Sequence, residues 1–201
     1  MEFTRDFTRT RINFWKQLLA DYRGKGNLKF LEIGTFEGRS AIWFLDNILF
    51  DDSCTLTIVD PFMMTWEKKF PDKNPLWNKP QVVNEIRERF YKNIDPYLKK
   101  VKIMEMTSFE ALMKFYQYGM RDYFDFIYID GSHKASDCLE DMILALRALK
   151  KGGILLMDDY QWGKQLPSHF TPKPAIDAFM SMYREEIKVL NIGSQVAILK
   201  K

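Results

Sequence analysis

The sequence predicts an α/β fold, in which a mostly parallel seven-stranded sheet carries helices on both faces and ends in an antiparallel hairpin. Short apolar runs of strand length alternate with stretches of helical periodicity through most of the chain. Such alternation is typical of parallel strands joined by right-handed crossovers. Two strand-like runs close the chain on either side of an Asn-Ile-Gly-Ser turn, which predicts the hairpin.

The elements follow in order. Apolar residues between Ile12 and Tyr22 repeat at helical spacing until Gly24 and Gly26 stop the pattern, which predicts a leading helix within residues 1–26. The apolar run 29–33 then enters Gly34 and a helical stretch at 39–50, forming the first strand-turn-helix unit. Further strands are predicted at residues 55–59, 101–106, 124–129, 153–157, 187–190 and 195–199, and further helices at 82–98, 108–118, 136–149 and 175–184.

Length and composition indicate one compact domain spanning residues 1–201. Apolar residues make up 46% and charged residues 28%, which excludes the composition of a disordered chain. The net charge is only +3 and is spread along the chain, so no nucleic-acid partner is expected.

The chain shows no membrane or export signal. Residues 1–11 lack the apolar core of a signal peptide, and no apolar run approaches the ~20 residues of a membrane span. Cys54 and Cys138 lie outside any metal-type cluster, so we interpret them as reduced packing residues. A cytoplasmic location is expected.

One segment, residues 61–80, interrupts the alternation. Its prolines and tryptophans exclude a single regular element: Pro61, Trp66, Pro71, Pro75, Trp77 and Pro80. It follows the second strand and therefore lies at the carboxyl edge of the sheet, where open α/β sheets bind ligands. We interpret it as a substrate lid; the alternative is an inert surface excursion.

The turn after the first strand is a candidate ligand site. Gly34 and Gly38 in Leu-Glu-Ile-Gly-Thr-Phe-Glu-Gly-Arg-Ser, residues 31–40, would let the backbone turn sharply before a helix whose N-terminus offers free N–H groups. Phe36 stands where a dinucleotide fingerprint has its second glycine, which counts against NAD. The alternative is a tight turn without a ligand.

Acidic residues end three further strands. Asp60 lies where a nucleoside site places the acid that accepts ribose hydroxyls, although it could instead cap the strand. Asp130, Asp158 and Asp159 could converge at one rim, where Mg²⁺ or Mn²⁺ would neutralise them; separate solvated acids or caps are the alternative.

His133 lies three residues after Asp130. A histidine beside carboxylates is a candidate general base because its ordinary pKa is near 6.5. A metal ligand, or neither role, remains open.

These stretches, in this order, resemble class I S-adenosylmethionine-dependent methyltransferases with a Rossmann-like fold. The closer resemblance is to metal-dependent small-molecule O-methyltransferases of the catechol and macrolide-sugar types. It covers residues 28–199, with 61–80 matching poorly. The cofactor residues that it implies are Glu32, Gly34, Thr35, Gly38, Ser40, Asp60, Ser108 and Asp130. Among these, Gly34 and Ser40 would line the methionine portion, Asp60 would bind the ribose and Ser108 the adenine.

The spacing of 28 positions between Asp130 and Asp158 is similar to that of the catechol-type metal site, whose third ligand follows the second acid. The resemblance thus implies Mg²⁺ or Mn²⁺ on Asp130, Asp158 and Asp159, with Asp130 and His133 catalytic. Catechol-type enzymes carry asparagine in place of Asp159 and lysine in place of His133. The resemblance therefore implies a hydroxylated small-molecule acceptor, a sugar among the alternatives, in preference to a catechol.

Two other functions stay open. A metal-independent or non-catalytic relative would keep the glycine turn and Asp60, and an NAD-dependent oxidoreductase would share the architecture. The oligomeric state is also open, a homodimer through the leading helix being one alternative.

Overall fold

The computed structural model describes residues 1–63 and 80–201. Within these ranges the sheet contains seven strands: β1 (Lys29–Ile33), β2 (Thr55–Val59), β3 (Val101–Met104), β4 (Phe124–Ile129), β5 (Leu149–Met157), β6 (Ile187–Ile192) and β7 (Val196–Lys200). They lie in the order β3-β2-β1-β4-β5-β7-β6. The first five strands pair in parallel, and β7 runs antiparallel to both β5 and β6. The predicted mixed sheet with its C-terminal hairpin is confirmed.

In the same described ranges, six helices cover the sheet: α1 (Ile12–Leu18), α2 (Arg39–Asn47), α3 (Pro80–Ile94), α4 (Ser108–Gln117), α5 (Ala135–Ala148) and α6 (Lys173–Met182). Successive strand side chains point to opposite faces. Phe30 and Phe126 therefore pack with α1, α2 and α3, whereas Leu31 and Ile127 pack with α4, α5 and α6. Helices on both faces follow from strands that are apolar on both sides.

Several predicted boundaries were wrong. The leading helix ends at Leu18 and continues only as a short turn at Ala20–Tyr22. Helix α3 ends at Ile94, since Pro96 disfavours a helical conformation at Asp95 and lacks a backbone N–H.

The junction of α5 and β5 differs most from the prediction. Leu149, expected to end the helix, instead begins a nine-residue strand by pairing with Phe124. Residues 150–152 belong to the same strand, although two lysines and a glycine do not indicate a strand in the sequence. Tertiary pairing with β4 therefore outweighs local pattern here.

Residues 64–79, most of the predicted substrate lid, lie outside the described residues. Phe62, just before them, is buried and packs on Phe90 of α3 with ring centroids 5.1 Å apart. Both cysteines are free and buried, as predicted. Within the described ranges, no helix combines the length and apolar character needed to cross a membrane.

Candidate functional site

The loop between β1 and α2 is built on left-handed backbone. Gly34, Phe36 and Gly38 have φ values of 81°, 54° and 83°. A Cβ atom at Gly34 would lie 2.2 Å from the carbonyl oxygen of Asp130. The close approach of the β1 and β4 ends thus requires glycine at position 34, a reason that the sequence motif did not reveal. Phe36 adopts the left-handed backbone conformation that is more usual for glycine.

Glu32 is fully buried beneath this loop. Its carboxylate accepts hydrogen bonds from the Thr35 hydroxyl, at 3.0 Å, and from the Ser40 hydroxyl. Burial raises the pKa of Glu32 to about 8, against the lowering effect of the two hydroxyls. Glu32 therefore ties the strand to the start of α2 and holds Thr35 and Ser40 in place.

Asp60 lies beside the same loop at the end of β2. One carboxylate oxygen accepts from the backbone N–H groups of Thr35 (2.9 Å) and Phe36 (3.3 Å), and the other accepts from that of Phe62 (2.7 Å). Burial raises the pKa of Asp60, against the lowering effect of those bonds. In the described structure Asp60 thus caps the loop through backbone donors, and its role as the ribose ligand stays a prediction.

A cleft opens in front of this loop. Residues 34–37, 39 and 40 form one side, while residues near the N-terminus form the other. We call residues 2–11 the N-terminal strap. Its members at the cleft are Phe3, Arg5, Phe7 and Thr8. This wall was not predicted, because nothing in the local pattern of residues 2–11 indicates what they cover.

The strap is held by specific bonds. The backbone N–H and hydroxyl of Thr4 each donate to Glu37 at 2.7 Å, and Glu37 is buried. The Asp6 carboxylate lies 3.3 Å from the Arg39 guanidinium. These contacts fasten the strap to the loop and to the first turn of α2.

Ser108, the predicted adenine contact, begins α4. Its hydroxyl hydrogen-bonds the buried Asp141 of α5. Burial raises the pKa of Asp141 to about 7. The structure thus gives Ser108 a partner between two helices, and Ser108 is not among the residues that line the cleft.

An acid cluster lies at the ends of β4 and β5. Ligand atoms of Asp130, His133 and Asp159 fall within 4.8 Å of one another. The His133 Nε2 atom is 2.6 Å from Asp159 Oδ2, and its ring lies 4.4 Å from that of Trp162. Asp159 has a φ of 57°, a left-handed conformation that turns the chain sharply after Asp158.

Asp158, in contrast, is turned toward the protein interior. One oxygen accepts from the Tyr128 hydroxyl and from Gln195 Nε2 at 2.7 Å; the other accepts from the Asp159 N–H at 2.6 Å. The Tyr128 hydroxyl also lies 3.0 Å from Asp130. The three acids do converge, as the strand ends predicted, but Asp158 is already surrounded by protein donors.

Arg11 of the strap brings a positive charge to these acids. Its Nη2 atom lies 3.1 Å from Asp158 Oδ1 and 3.5 Å from Asp159 Oδ1, and its Nη1 donates to Ser194 Oγ at 2.6 Å. The pKa of Asp158 is raised by burial and by Asp159, and Arg11 opposes that rise. Burial and the charges of Asp158 and Asp159 raise the pKa of Asp130 well above its usual range.

Sequence reasoning missed three residues of this site: Arg11, Tyr128 and Gln195. Trp15 Nε1 donates to Gln195 Oε1 at 2.9 Å, so Gln195 links α1 to Asp158. Tyr128 carried a usable signal, since it precedes Asp130 by two positions in an extended strand and so faces the same side. Arg11 and Gln195 could not be found in this way, because their partners are distant in the sequence. Arg11 is 183 positions from Ser194, and Gln195 is 37 positions from Asp158.

The cleft adjoins a second cavity, and the two share one residue. This second, smaller cavity is lined by Asp130, His133, Asp159 and the apolar Met142 and Ile176. Asp130 lines this cavity and also the larger cleft. The glycine loop and the acid cluster therefore form adjoining parts of one candidate site.

Known proteins resemble this chain in sequence and in fold. An uncharacterized protein, R132, of Acanthamoeba polyphaga mimivirus is 24% identical over 151 residues, which cover 74% of this chain and 60% of R132, less than two thirds of its length. The O-methyltransferase TomG of Streptomyces achromogenes, solved with SAM, has a TM-score of 0.68 at 16% identity, covering 98% of this chain and 82% of TomG.

The MycE methyltransferase of the mycinamycin pathway, solved with Mg and SAH, has a TM-score of 0.63 at 13% identity over 98% of this chain and 51% of MycE. At such identities these two structures support the fold alone. The family model described as a methyltransferase domain matches residues 31–160, from the glycine loop to the acid cluster. The chain belongs to this methyltransferase domain family.

Proposed function

We propose that the protein is an S-adenosylmethionine-dependent O-methyltransferase acting on a hydroxylated small molecule or sugar, with a divalent cation assisting. The observation that carries the proposal is the position of Asp130 in the walls of both clefts. A methyl donor in the glycine-loop cleft and an acceptor in the acid cavity would meet there. Proximity of this kind supplies much of the catalysis in a transfer between two bound molecules.

The cofactor would occupy the cleft between the loop and the strap. Gly34 would lie beside it, Gly38 permits the turn into α2, and Ser40 and the start of α2 would face its methionine portion. Asp60 would accept the ribose hydroxyls, exchanging its present backbone donors for them. Ser108 remains the proposed adenine contact, held by Asp141.

The acid cluster suits a hard divalent cation. Asp130, Asp158 and Asp159 offer oxygen atoms, the ligands that Mg²⁺ and Mn²⁺ prefer. Burial first, and the neighbouring acids second, raise the pKa values of Asp130 and Asp158. Asp158 could serve as a ligand only by releasing one of its present donors. When bound, the cation would lower the pKa of an acceptor hydroxyl and fix its position.

His133 would take the proton from the acceptor hydroxyl. Its bond to Asp159 at 2.6 Å orients the ring and would stabilise the imidazolium that forms. The acceptor oxygen would then bond to the methyl carbon as the carbon–sulfur bond breaks, leaving a thioether. The apolar Met142 and Ile176 limit water in the cavity.

A calorimetric titration with S-adenosylmethionine tests the cofactor. We expect micromolar binding, retained in a Gly119→Ala variant, whose site is open. Screening hydroxylated acceptors, sugars included, with radiolabelled cofactor would then identify the substrate class. Absence of cofactor binding by two independent methods would refute the proposal.

A metal-independent methyltransferase is the second candidate, and the Arg11 contacts favour it. A guanidinium beside Asp158 and Asp159 could supply the positive charge that the acids need. Methyl transfer that persists after EDTA treatment would support this alternative, whereas loss in EDTA with recovery on adding Mg²⁺ would support the metal-assisted reaction.

A further inference from the structure

We propose that Arg11 is the internal counter-cation of the acid cluster, and that a divalent cation displaces it and thereby releases the N-terminal strap from the cofactor cleft. Metal binding and access to the cofactor would then be coupled through one side chain. The inference rests on the metal site of the proposed function.

The first step is the competition for oxygen atoms. Arg11 Nη2 lies within 3.5 Å of the Oδ1 atoms of both Asp158 and Asp159. The other Asp158 oxygen is held by Tyr128 and Gln195 within the protein. A cation that uses Asp158 as a ligand would therefore meet Arg11 at Oδ1, the oxygen that also accepts from the Asp159 N–H.

The second step is charge. Asp158 is buried and the Arg11 side chain is only 19% exposed, so solvent screens their interaction poorly. A guanidinium and a divalent cation on neighbouring oxygens would repel each other strongly in such surroundings. The Arg11 guanidinium and a divalent cation would therefore exclude each other at this edge of the sheet.

The third step is the connection to the cofactor cleft. Arg11 stands at the boundary between the strap and α1, where its carbonyl accepts from the Trp15 N–H. Trp15 is fully buried and bonded to Gln195, so α1 stays anchored while the strap depends on its own contacts. Those contacts run from Arg11 at one end, through Asp6 on Arg39, to Thr4 on Glu37 and Glu2 on Asn93 at the other, so Arg11 is the contact that ties the strap to the acid cluster.

Because Phe3, Arg5, Phe7 and Thr8 form a wall of the cleft, loss of the Arg11 contact would loosen that wall. Phe7 is only partly enclosed: the side chain is 60% exposed and touches Phe36 with ring centroids 5.8 Å apart, whereas Phe3 stacks with the Arg39 guanidinium and Thr8 is buried. A metal-loaded protein would therefore exchange its cofactor faster than a metal-free one.

The first measurement is Mn²⁺ binding to chelator-treated protein, followed by electron paramagnetic resonance of the free ion. Arg11→Gln should bind Mn²⁺ about tenfold more tightly or better, because the ion no longer competes with a neighbouring charge. Arg9→Gln is the matched control: it removes the same charge from an exposed strap residue two positions away and should change affinity less than about twofold. Arg11→Lys, which keeps the charge, should bind like the wild type even if Arg11→Gln folds poorly.

The second measurement is hydrogen exchange with and without Mn²⁺. The Thr4 amide donates to Glu37, and the amides of Thr8 and Arg11 donate to Asp6 and Thr8 inside the strap. All three should exchange faster when Mn²⁺ binds. Amides around Asp158 and Asp159 should exchange more slowly under the same conditions.

Three results would overturn the inference. Unchanged or weaker Mn²⁺ binding by Arg11→Gln would mean that Arg11 orients the acids instead of competing. Slower exchange in the strap on adding Mn²⁺ would mean that the ion closes it. Failure of the wild type and every Arg11 variant to bind Mn²⁺ would remove the metal site itself, while cofactor binding in the separate titration would leave the methyltransferase proposal standing.

Discussion

The Asp130 carbonyl oxygen lies 2.2 Å from the position that a Cβ atom would take at Gly34. The ends of β1 and β4 are therefore packed backbone against backbone, and the Asp130 N–H donates to the Ile33 carbonyl at 2.8 Å, which ties the glycine loop to the acid cluster. The pairing of β1 with β4 therefore fixes the positions of the two clefts relative to each other.

Gly34→Ala should accordingly destabilise the protein severely. Gly119→Ala is the control, because Gly119 also has a positive φ, 70°, but a Cβ atom there would meet nothing within 4 Å. The control should cost about 1–2 kcal/mol of unfolding free energy, from the strain of a left-handed alanine, and Gly34→Ala several kcal/mol more. Urea unfolding measures both, and equal losses would contradict the contact argument.

Glu32 should make stability depend on pH. Its folded pKa of about 8 lies above the ordinary 4.5, so its contribution is fully present below pH 4.5 and is lost as pH rises toward 8. Glu32→Gln removes this titration. The variant should therefore gain stability relative to the wild type between pH 5 and 8, by an amount that grows with pH. Parallel stability curves for the two proteins would show that Glu32 is not the titrating group.

His133→Ala should lower the rate of methyl transfer by about 10²- to 10⁴-fold, the usual contribution of a positioned general base. Its affinity for the cofactor should stay unchanged. His169→Ala is the control, since His169 is the other histidine and lies exposed beside Phe170. A wild-type rate in His133→Ala would remove His133 from the mechanism.

Tyr128→Phe should cost about 1–3 kcal/mol of unfolding free energy, because Asp158 and Asp130 lose a buried donor. Tyr118→Phe, at a side chain that is 75% exposed, should be nearly neutral. Chemical unfolding in metal-free buffer compares them. A neutral Tyr128→Phe would mean that water replaces the hydroxyl without loss.

The sheet could be predicted from the sequence because its strands are apolar on both faces and are separated by amphipathic helices. Strand β4, from Phe124 to Ile129, shows the rule plainly. The prediction was wrong at Leu149, where pairing with Phe124 decides the conformation. A residue whose strand partner is distant in the sequence shows no local pattern from which the pairing could be predicted.

The same distinction applies to the site. Asp130 and Asp159 could be placed at one rim because both follow parallel neighbouring strands. The loop bonds of Asp60 and the inward turn of Asp158 could not, because they depend on which donors the folded chain brings near. The Arg11 contact joins residues that the sequence keeps far apart.

The carboxamide of Gln195 carries a consequence for biosynthesis. On the ribosome, Gln195 is made 37 residues after Asp158 and 180 after Trp15, yet it bonds to both. A nascent chain that has finished its parallel strands still lacks one of the donors that hold Asp158. The surroundings of Asp158 are therefore completed only when the closing hairpin has been made.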